Sequence, residues 1–292
     1  MLKIEQILCP VDFSEVSKKA FEYAVSLAQR YKAKLYVQHS IEPVTVFSYE
    51  SFPGWSEMYE ILKSGAETSM SELMSLPGSQ AVHPEPSILV GTPSESILNF
   101  AEKKSIDLIV MGSHGRRGMD RFVMGSVTDR VLRKAKCPVL AVRKPAHDFI
   151  KPGSEDAVQL RKITLGTDFS DHALRAFDYA LSLAMEYQAE LTLVHVLEDI
   201  PHDKELQPEI DRLTREMEAA IPADASNWCT VKTVVRIGKP YQEIIQLATE
   251  SQADLIVLGI RGRNALDIAL FGSTTHRVLQ LGPCPVLTVR TQ

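Results

Sequence analysis

The chain has 292 residues, 45% of them apolar and 24% charged, with a formal net charge of -5 and a pI near 5.9. That length and composition suit two globular domains with cores of their own, and the acidic balance argues against the basic footprint on which sequence-independent nucleic-acid binding rests. No apolar run approaches the roughly 18 residues of a membrane span, the opening Met1-Leu2-Lys3-Ile4-Glu5 reads as a charged strand and not a leader, and Cys9, Cys137, Cys229 and Cys284, without a CxxC, read as reduced thiols of a cytoplasmic protein.

In chain order, Ile4–Pro10 is an apolar strand. A helix follows that Ser14 can cap, with Ala20, Tyr23, Ala24, Leu27 and Ala28 on one face at 3/4 spacing. Lys34–Ser40 is a second strand, Glu57–Leu76 a helix, Val82–Val90 a strand, Pro93–Lys103 a helix and Asp107–Met111 a strand. Ser126–Arg133 is a helix and Val139–Arg143 a last strand. Strand and helix alternate, and the strands are nearly continuous in Ile, Leu and Val, as in a parallel sheet covered on both faces.

The pattern is written twice. "ILCPVDFS" (Ile7–Ser14) returns as "ITLGTDFS" (Ile163–Ser170), and "YVQHS" (Tyr36–Ser40) as "TLVHV" (Thr192–Val196), 156 positions on. "VGTPSESI", "DLIVMG" and "KCPVLAVR" return as "IGKPYQEI", "DLIVLG" and "PCPVLTVR", 147 positions on. The nine extra residues of the first half are expected in "IEPVTVFSYESFPGWSE", whose Phe47, Tyr49, Phe52 and Trp55 make either a partner-contact patch or a flap over their own domain. The expected organisation is a first domain of residues 1–146, a linker of 147–158 with the character of an ordered-to-flexible connector, and a second domain of 159–292.

After the strand that ends at Met111 comes "GSHGRRGMDRFVMGS". Gly112, Gly115 and Gly125, followed by Ser126 and Thr128, are matched by Gly259, Gly262 and Gly272, followed by Ser273 and Thr275, at identical spacing. Ligands of open α/β sheets sit beyond the carboxyl ends of strands, where the topology switches. Glycines there allow positive φ and close backbone approach, loop N–H groups cradle phosphate oxygens, and the helix starting at the last glycine favours an anion. Ser126 and Thr128 add hydroxyl donors. Asp12 and Asp168, each ending a first strand, can accept from ribose hydroxyls or cap the following helix. A plain turn is the competing explanation of the glycines.

"PVDFS", "GTPSESI" and the long run from Asp107 to Arg143 resemble the universal stress protein family, and the whole chain is similar to its tandem two-domain form. The resemblance implies two Rossmann-like, adenine nucleotide alpha hydrolase-like α/β domains, each a five-stranded parallel sheet of order 3-2-1-4-5 with helices on both faces. It implies ATP, or AMP or ADP, in each domain, with Mg or Mn at the phosphates and no metal ligands from protein side chains. By resemblance Asp12 and Asp168 hold the ribose; Ser40 and Val196 contact adenine through their backbone. Gly112, His114, Gly115, Gly125, Ser126, Val127 and Thr128, and in the second domain Gly259, Arg261, Gly262, Gly272, Ser273, Thr274 and Thr275, surround the phosphates, and Pro10 and Thr167 also belong to the nucleotide sites. The domains depart from one another: Gly166 stands for Pro10, Ile260-Arg261 for Ser113-His114 and Thr274 for Val127, and Ser40 replaces the family's usual apolar residue. The last strands, "PVLAVR" and "PVLTVR", are expected to pair within one molecule as a pseudo-dimer, with a homodimer as a further possibility of assembly.

Three functions compete: a nucleotide-binding stress-response regulator with an unknown protein partner, a slow ATPase, and a nucleotide-free scaffold. No adenylating "SGG", HIGH-like or KMSKS-like signature and no GxxxxGK[ST] is present. His114 is the only base candidate in the loop, and its counterpart Arg261 cannot be one near neutral pH.

Overall fold

A computed structural model describes residues 3–42, 55–114, 124–143, 148–151, 154, 157–198, 206–260 and 272–290. The chain divides into two compact units. One holds Ile4–Arg143 with Ile150–Val158; the other holds Gln159–Gln292 with Met1–Lys3 and Lys144–Phe149.

In the first unit the strands are β1 (Gln6–Pro10), β2 (Lys34–Ile41), β3 (Glu85–Val90), β4 (Leu108–Gly112) and β5 (Val139–Val142). They run β3-β2-β1-β4-β5, every pair parallel. Helices α1 (Glu15–Tyr31), α2 (Trp55–Met74), α3 (Ser79–Val82), α4 (Pro93–Lys103) and α5 (Ser126–Lys134) connect them. The second unit repeats this with β6 (Lys162–Gly166), β7 (Glu190–Leu197), β8 (Thr230–Ile237), β9 (Leu255–Ile260) and β10 (Val286–Arg290), in the order β8-β7-β6-β9-β10, again all parallel. Its helices are α6 (Asp171–Tyr187), α7 (Leu206–Ala219), α8 (Pro240–Glu250) and α9 (Ser273–Leu281). The expected strand order, 3-2-1-4-5, is present in each unit.

The helices form where the periodicity places them. Ser14 and Ser170 are the N-caps of α1 and α6, accepting from the N–H of Ser17 and Ala173. The buried face of α1 carries Ala20, Phe21, Tyr23, Ala24, Leu27 and Ala28 against Ile7, Leu8 and Cys9 of β1, all buried. Each large side chain there contributes about 1.5–3 kcal/mol by leaving water. Burial pushes the Cys9 thiol far above its ordinary range and that of Cys137 up to about 12, so neither is a ready nucleophile.

Three expectations shift. Strand β3 starts at Glu85, because Ser79–Val82 forms a helical turn that ends on His83 in the left-handed region (φ 47). The extra length of the first half lies partly in helix: α2 has 20 residues and α7 has 14. The aromatic residues Phe47, Tyr49 and Phe52 lie outside the described residues. The expected connector is packed where it is described: Phe149, Ile150, Ala157 and Val158 are buried, Ile150 and Val158 form an antiparallel bridge, and Gln29 Nε2 donates to Ser154 O at 3.0 Å. No helix among the described residues is long and apolar enough to cross a membrane.

Candidate functional site

The carboxyl ends of the parallel strands gather the residues singled out above. In the first unit Pro10 is the last residue of β1 and pairs with Gln38 of β2. Val11 N–H then bonds to Gln38 O at 2.8 Å, and the chain turns into Asp12. Ser40 lies near the end of β2, opposite Leu89 of β3. Gly112 ends β4, the neighbour of β1 on the other side. The second unit matches: Gly166 ends β6, Thr167 N–H bonds to Val194 O at 2.9 Å, Asp168 follows, Val196 lies near the end of β7, and Gly259 lies near the end of β9.

Asp12 does not cap α1; Ser14 does. Asp12 instead accepts from Ser14 N–H at 3.1 Å and Ser14 Oγ–H at 2.6 Å, both through Oδ1. Asp168 holds Ser170 in the same way, at 3.1 and 2.5 Å. This short loop locks each carboxylate at the strand end. The residue between is Phe13 or Phe169, both in the left-handed region (φ 62 and 60). Their rings lie on His39 and His195, at centroid distances of 4.6 and 4.8 Å. Each histidine donates Nδ1–H to a carbonyl, Val11 O or Thr167 O, at 2.8 and 2.9 Å. A non-glycine residue at positive φ costs about 1–3 kcal/mol, and the stacking and histidine bonds hold it there. This Phe–His support was not read from the sequence. Its signal was available: "DFS" and the strand histidine recur in both halves.

Positive φ is not what the described loop glycines supply. Gly125 has φ -64 and Gly272 φ -50, and the positive-φ glycines among the described residues are Gly78, Gly91 and Gly238. Gly112 and Gly259 serve close packing: a Cβ on Gly112 would meet Val16 Cγ1 at 3.1 Å, and one on Gly259 would run into the backbone of His172 and Ala173. A Cβ on Gly272 would meet none of the described residues within 4 Å. Gly115, Arg261 and Gly262 lie outside the described residues.

Helices α5 and α9 begin at Ser126 and Ser273, and neither has a side-chain cap. Their first N–H groups have no intrahelical acceptor, so Ser126-Val127-Thr128 and Ser273-Thr274-Thr275 offer backbone donors and the positive end of a helix dipole. Thr128 adds no hydroxyl donor: its Oγ1–H goes to Gly112 O at 2.8 Å, tying the helix to the end of β4. Ser113 N–H bonds to Val142 O at 2.7 Å and Gly125 N–H to Ser113 O at 2.9 Å, which fixes the two ends of the loop together.

Ser113 Oγ is 3.1 Å from His114 Nδ1. Burial, then the Arg143 guanidinium, push the His114 pKa below its ordinary value, and the Asp12 carboxylate offsets this in part. Asp12, His114 and Arg143 thus act on one another at one end of the sheet, with the imidazole neutral at pH 7. Because the folded pKa is depressed, this histidine contributes stability that is present above pH 6.5 and is lost as the pH falls through the folded pKa. Replacing it by Gln is therefore expected to flatten the decline of the urea midpoint between pH 7 and 5. An unchanged slope would show that His114 is as protonatable in the folded chain as in the unfolded one. Among the described residues no three His, Cys, Asp or Glu side chains are grouped to hold a metal ion.

The sequence profile of the universal stress protein family matches residues 3–143 and again 159–290. The chain belongs to the universal stress protein family. A universal stress protein of Mycolicibacterium smegmatis is 25% identical over 296 residues, covering 97% of this chain and 96% of that one. One from Methanocaldococcus jannaschii is 33% identical over 144 residues, 49% of this chain and 85% of its own. The crystal structure of a universal stress protein from Archaeoglobus fulgidus superposes with a TM-score of 0.71 at 23% identity, over 98% of this chain and 96% of that one, a likeness of fold. The family match in two segments is the tandem arrangement that the repeated motifs imply.

Proposed function

We propose that each half binds an adenine nucleotide, ATP above all, and that the chain works in the stress response as a nucleotide-dependent regulatory module in the cytoplasm. The observation that carries this reading is Gly272. Its φ is ordinary and its Cβ would touch no atom of the described residues within 4 Å, so nothing in the described chain demands a glycine there. Close approach of a ligand to an uncapped helix N-terminus does demand one. In this reading the phosphates lie against Ser126 and Val127, or Ser273 and Thr274, with Asp12 or Asp168 on the ribose. Mg or Mn, with no cluster of protein ligands among the described residues, is carried by the phosphates. The last strands form the pseudo-dimer edge, and a protein partner or a second chain reads the nucleotide state.

Nucleotide released by denaturing the purified chain is expected at one per half, and calorimetric titration with ATP and Mg is expected to fill both. Asp12→Ala and Asp168→Ala each weaken one half by about tenfold or more, since hydrogen bonds to a charged group are worth about 1.5–3 kcal/mol. No release and no heat of binding would leave the scaffold reading. ADP accumulating on the chain after loading with ATP would favour slow hydrolysis.

A further inference from the structure

The two candidate sites differ on the face of β2 and β7 that lies under α4 and α8. Alternate residues of a strand share a face. On β2 these are Tyr36, whose ring meets that of Phe100 in α4 at 5.4 Å, then Gln38 and Ser40. The register sets Gln38 between Pro10 of β1 and Ser87 of β3. In the second half Val194 stands for Gln38, between Gly166 and Val234, and Val196 stands for Ser40. Three polar positions of the first half, 38, 40 and 87, are therefore valines in the second.

Gln38 is 1% exposed. Its Nε2 reaches Ser40 Oγ at a long 3.4 Å, and its Oε1 has no hydrogen-bond partner among the described residues. A buried acceptor left unpaired is destabilising, because it gives up its bonds to water and gains none in return. The repeat shows that valine fits the same place. The amide thus answers to a donor that is not part of the described chain, and the strand order says which part of a nucleotide reaches it. Phosphates on α5 lie beyond β4, a sugar on Asp12 lies beyond β1, and the next strand outward is β2. The base therefore falls over Gln38 and Ser40.

Resting on the adenine-nucleotide reading above, we infer that Gln38 is a specificity-determining residue of the first half: its Oε1 accepts a hydrogen bond from the exocyclic amine of adenine. A 6-oxo purine would set an acceptor against this acceptor. The second half, with Val194 and Val196, holds its base by apolar contact and discriminates little. The two sites of one chain then differ in base selectivity.

The test is calorimetry on the full chain with one half silenced. With Asp168→Ala, binding reports the first half; with Asp12→Ala, the second. ATP, ITP and purine riboside triphosphate, which lacks the amine, are the probes. The first half is expected to prefer ATP over both analogues by about tenfold or more, because a site built around a buried polar group rejects a ligand that leaves it unpaired. The second half is expected to bind all three about equally. Adding Gln38→Val to Asp168→Ala brings the first half to the behaviour of the second, and Gln38→Leu does the same with a side chain nearer glutamine in length; thermal melting confirms that both variants are folded. Equal preference in the two halves, or a preference that survives Gln38→Val and Gln38→Leu in folded protein, overturns the inference and assigns the amide to a buried water. If neither silenced chain binds any nucleotide, the nucleotide reading itself falls, a result distinct from equal preference.

Discussion

Gly259→Ala is expected to cost about 3 kcal/mol or more of folding stability, the upper end for overpacking a closed core. A Cβ at this position would lie 2.5 Å from the carbonyl carbon of His172 and 2.8 Å from the amide nitrogen of Ala173. Both belong to the first turn of α6, so no rotamer change relieves the contact; the helix must lift from β9. That helix buries Ala173, Ala176, Phe177, Ala180 and Ala184, and displacing it opens the core of the second unit. It also moves Asp168, which is tied through Ser170 to the same turn. Binding in the second half is therefore expected to weaken along with stability. Gly112→Ala is the internal control. There the closest atom is Val16 Cγ1 at 3.1 Å, a side chain that can turn away, and the backbone of Ser17 stays at 3.4 Å. Its cost is expected near 1 kcal/mol or below. Urea denaturation of the two variants side by side checks the contrast. Equal midpoints for Gly259→Ala, Gly112→Ala and the parent chain would mean that α6 does not approach β9 as closely as described.

Asp254→Ala is expected to cost about 2–4 kcal/mol, because it removes two hydrogen bonds to a buried charged acceptor at once. Oδ2 of Asp254 accepts from the N–H of Arg161 and of Lys162, each at 2.8 Å, while its own N–H bonds to Lys162 O at 2.9 Å. The three bonds clamp the start of β9 to the start of β6, at the opposite end of the sheet from the candidate site. Asp107 makes the same clamp on Glu5 and Gln6, at 2.8 and 2.9 Å. One of its two bonds is exposed, where water replaces a lost partner, so Asp107→Ala is expected to cost less than Asp254→Ala. Asn at either position keeps an acceptor and should recover part of the loss. Thermal and urea unfolding of the four variants decides it. A neutral Asp254→Ala would show that the clamp adds nothing beyond the strand ladder. Because this end of the sheet is remote from Asp12 and Asp168, nucleotide binding by the folded fraction should be unaffected.

The repeat made most of the fold readable. Strands β1, β2, β4 and β5 and helices α1, α4 and α5 lie within two residues of the positions their apolar periodicity predicts. Strand β3 was read too long because "VHPEPSILV" is apolar enough to pass for one run, whereas a helical turn and left-handed His83 use up its beginning. The connector reads from its prolines, glycine and charges as ordered-to-flexible; in its described part Phe149, Ile150, Ala157 and Val158 are buried, a packing that composition does not reveal.

By itself the sequence determined the alternation of strand and helix, the duplication, the strand-end position of Asp12 and Asp168, and the glycine spacing shared by both halves, since these are properties of local pattern and of comparison within one chain. Tertiary structure alone decided what each of those residues does. It gave the caps to Ser14 and Ser170 and turned the aspartates into anchored carboxylates. It placed Phe13 and Phe169 on His39 and His195, made Gly112 and Gly259 sites of helix approach, and committed the Thr128 hydroxyl to Gly112. The reason is that a side chain's role depends on which atoms lie within about 3–4 Å of it, and in a parallel sheet those atoms come from strands and helices tens of residues away.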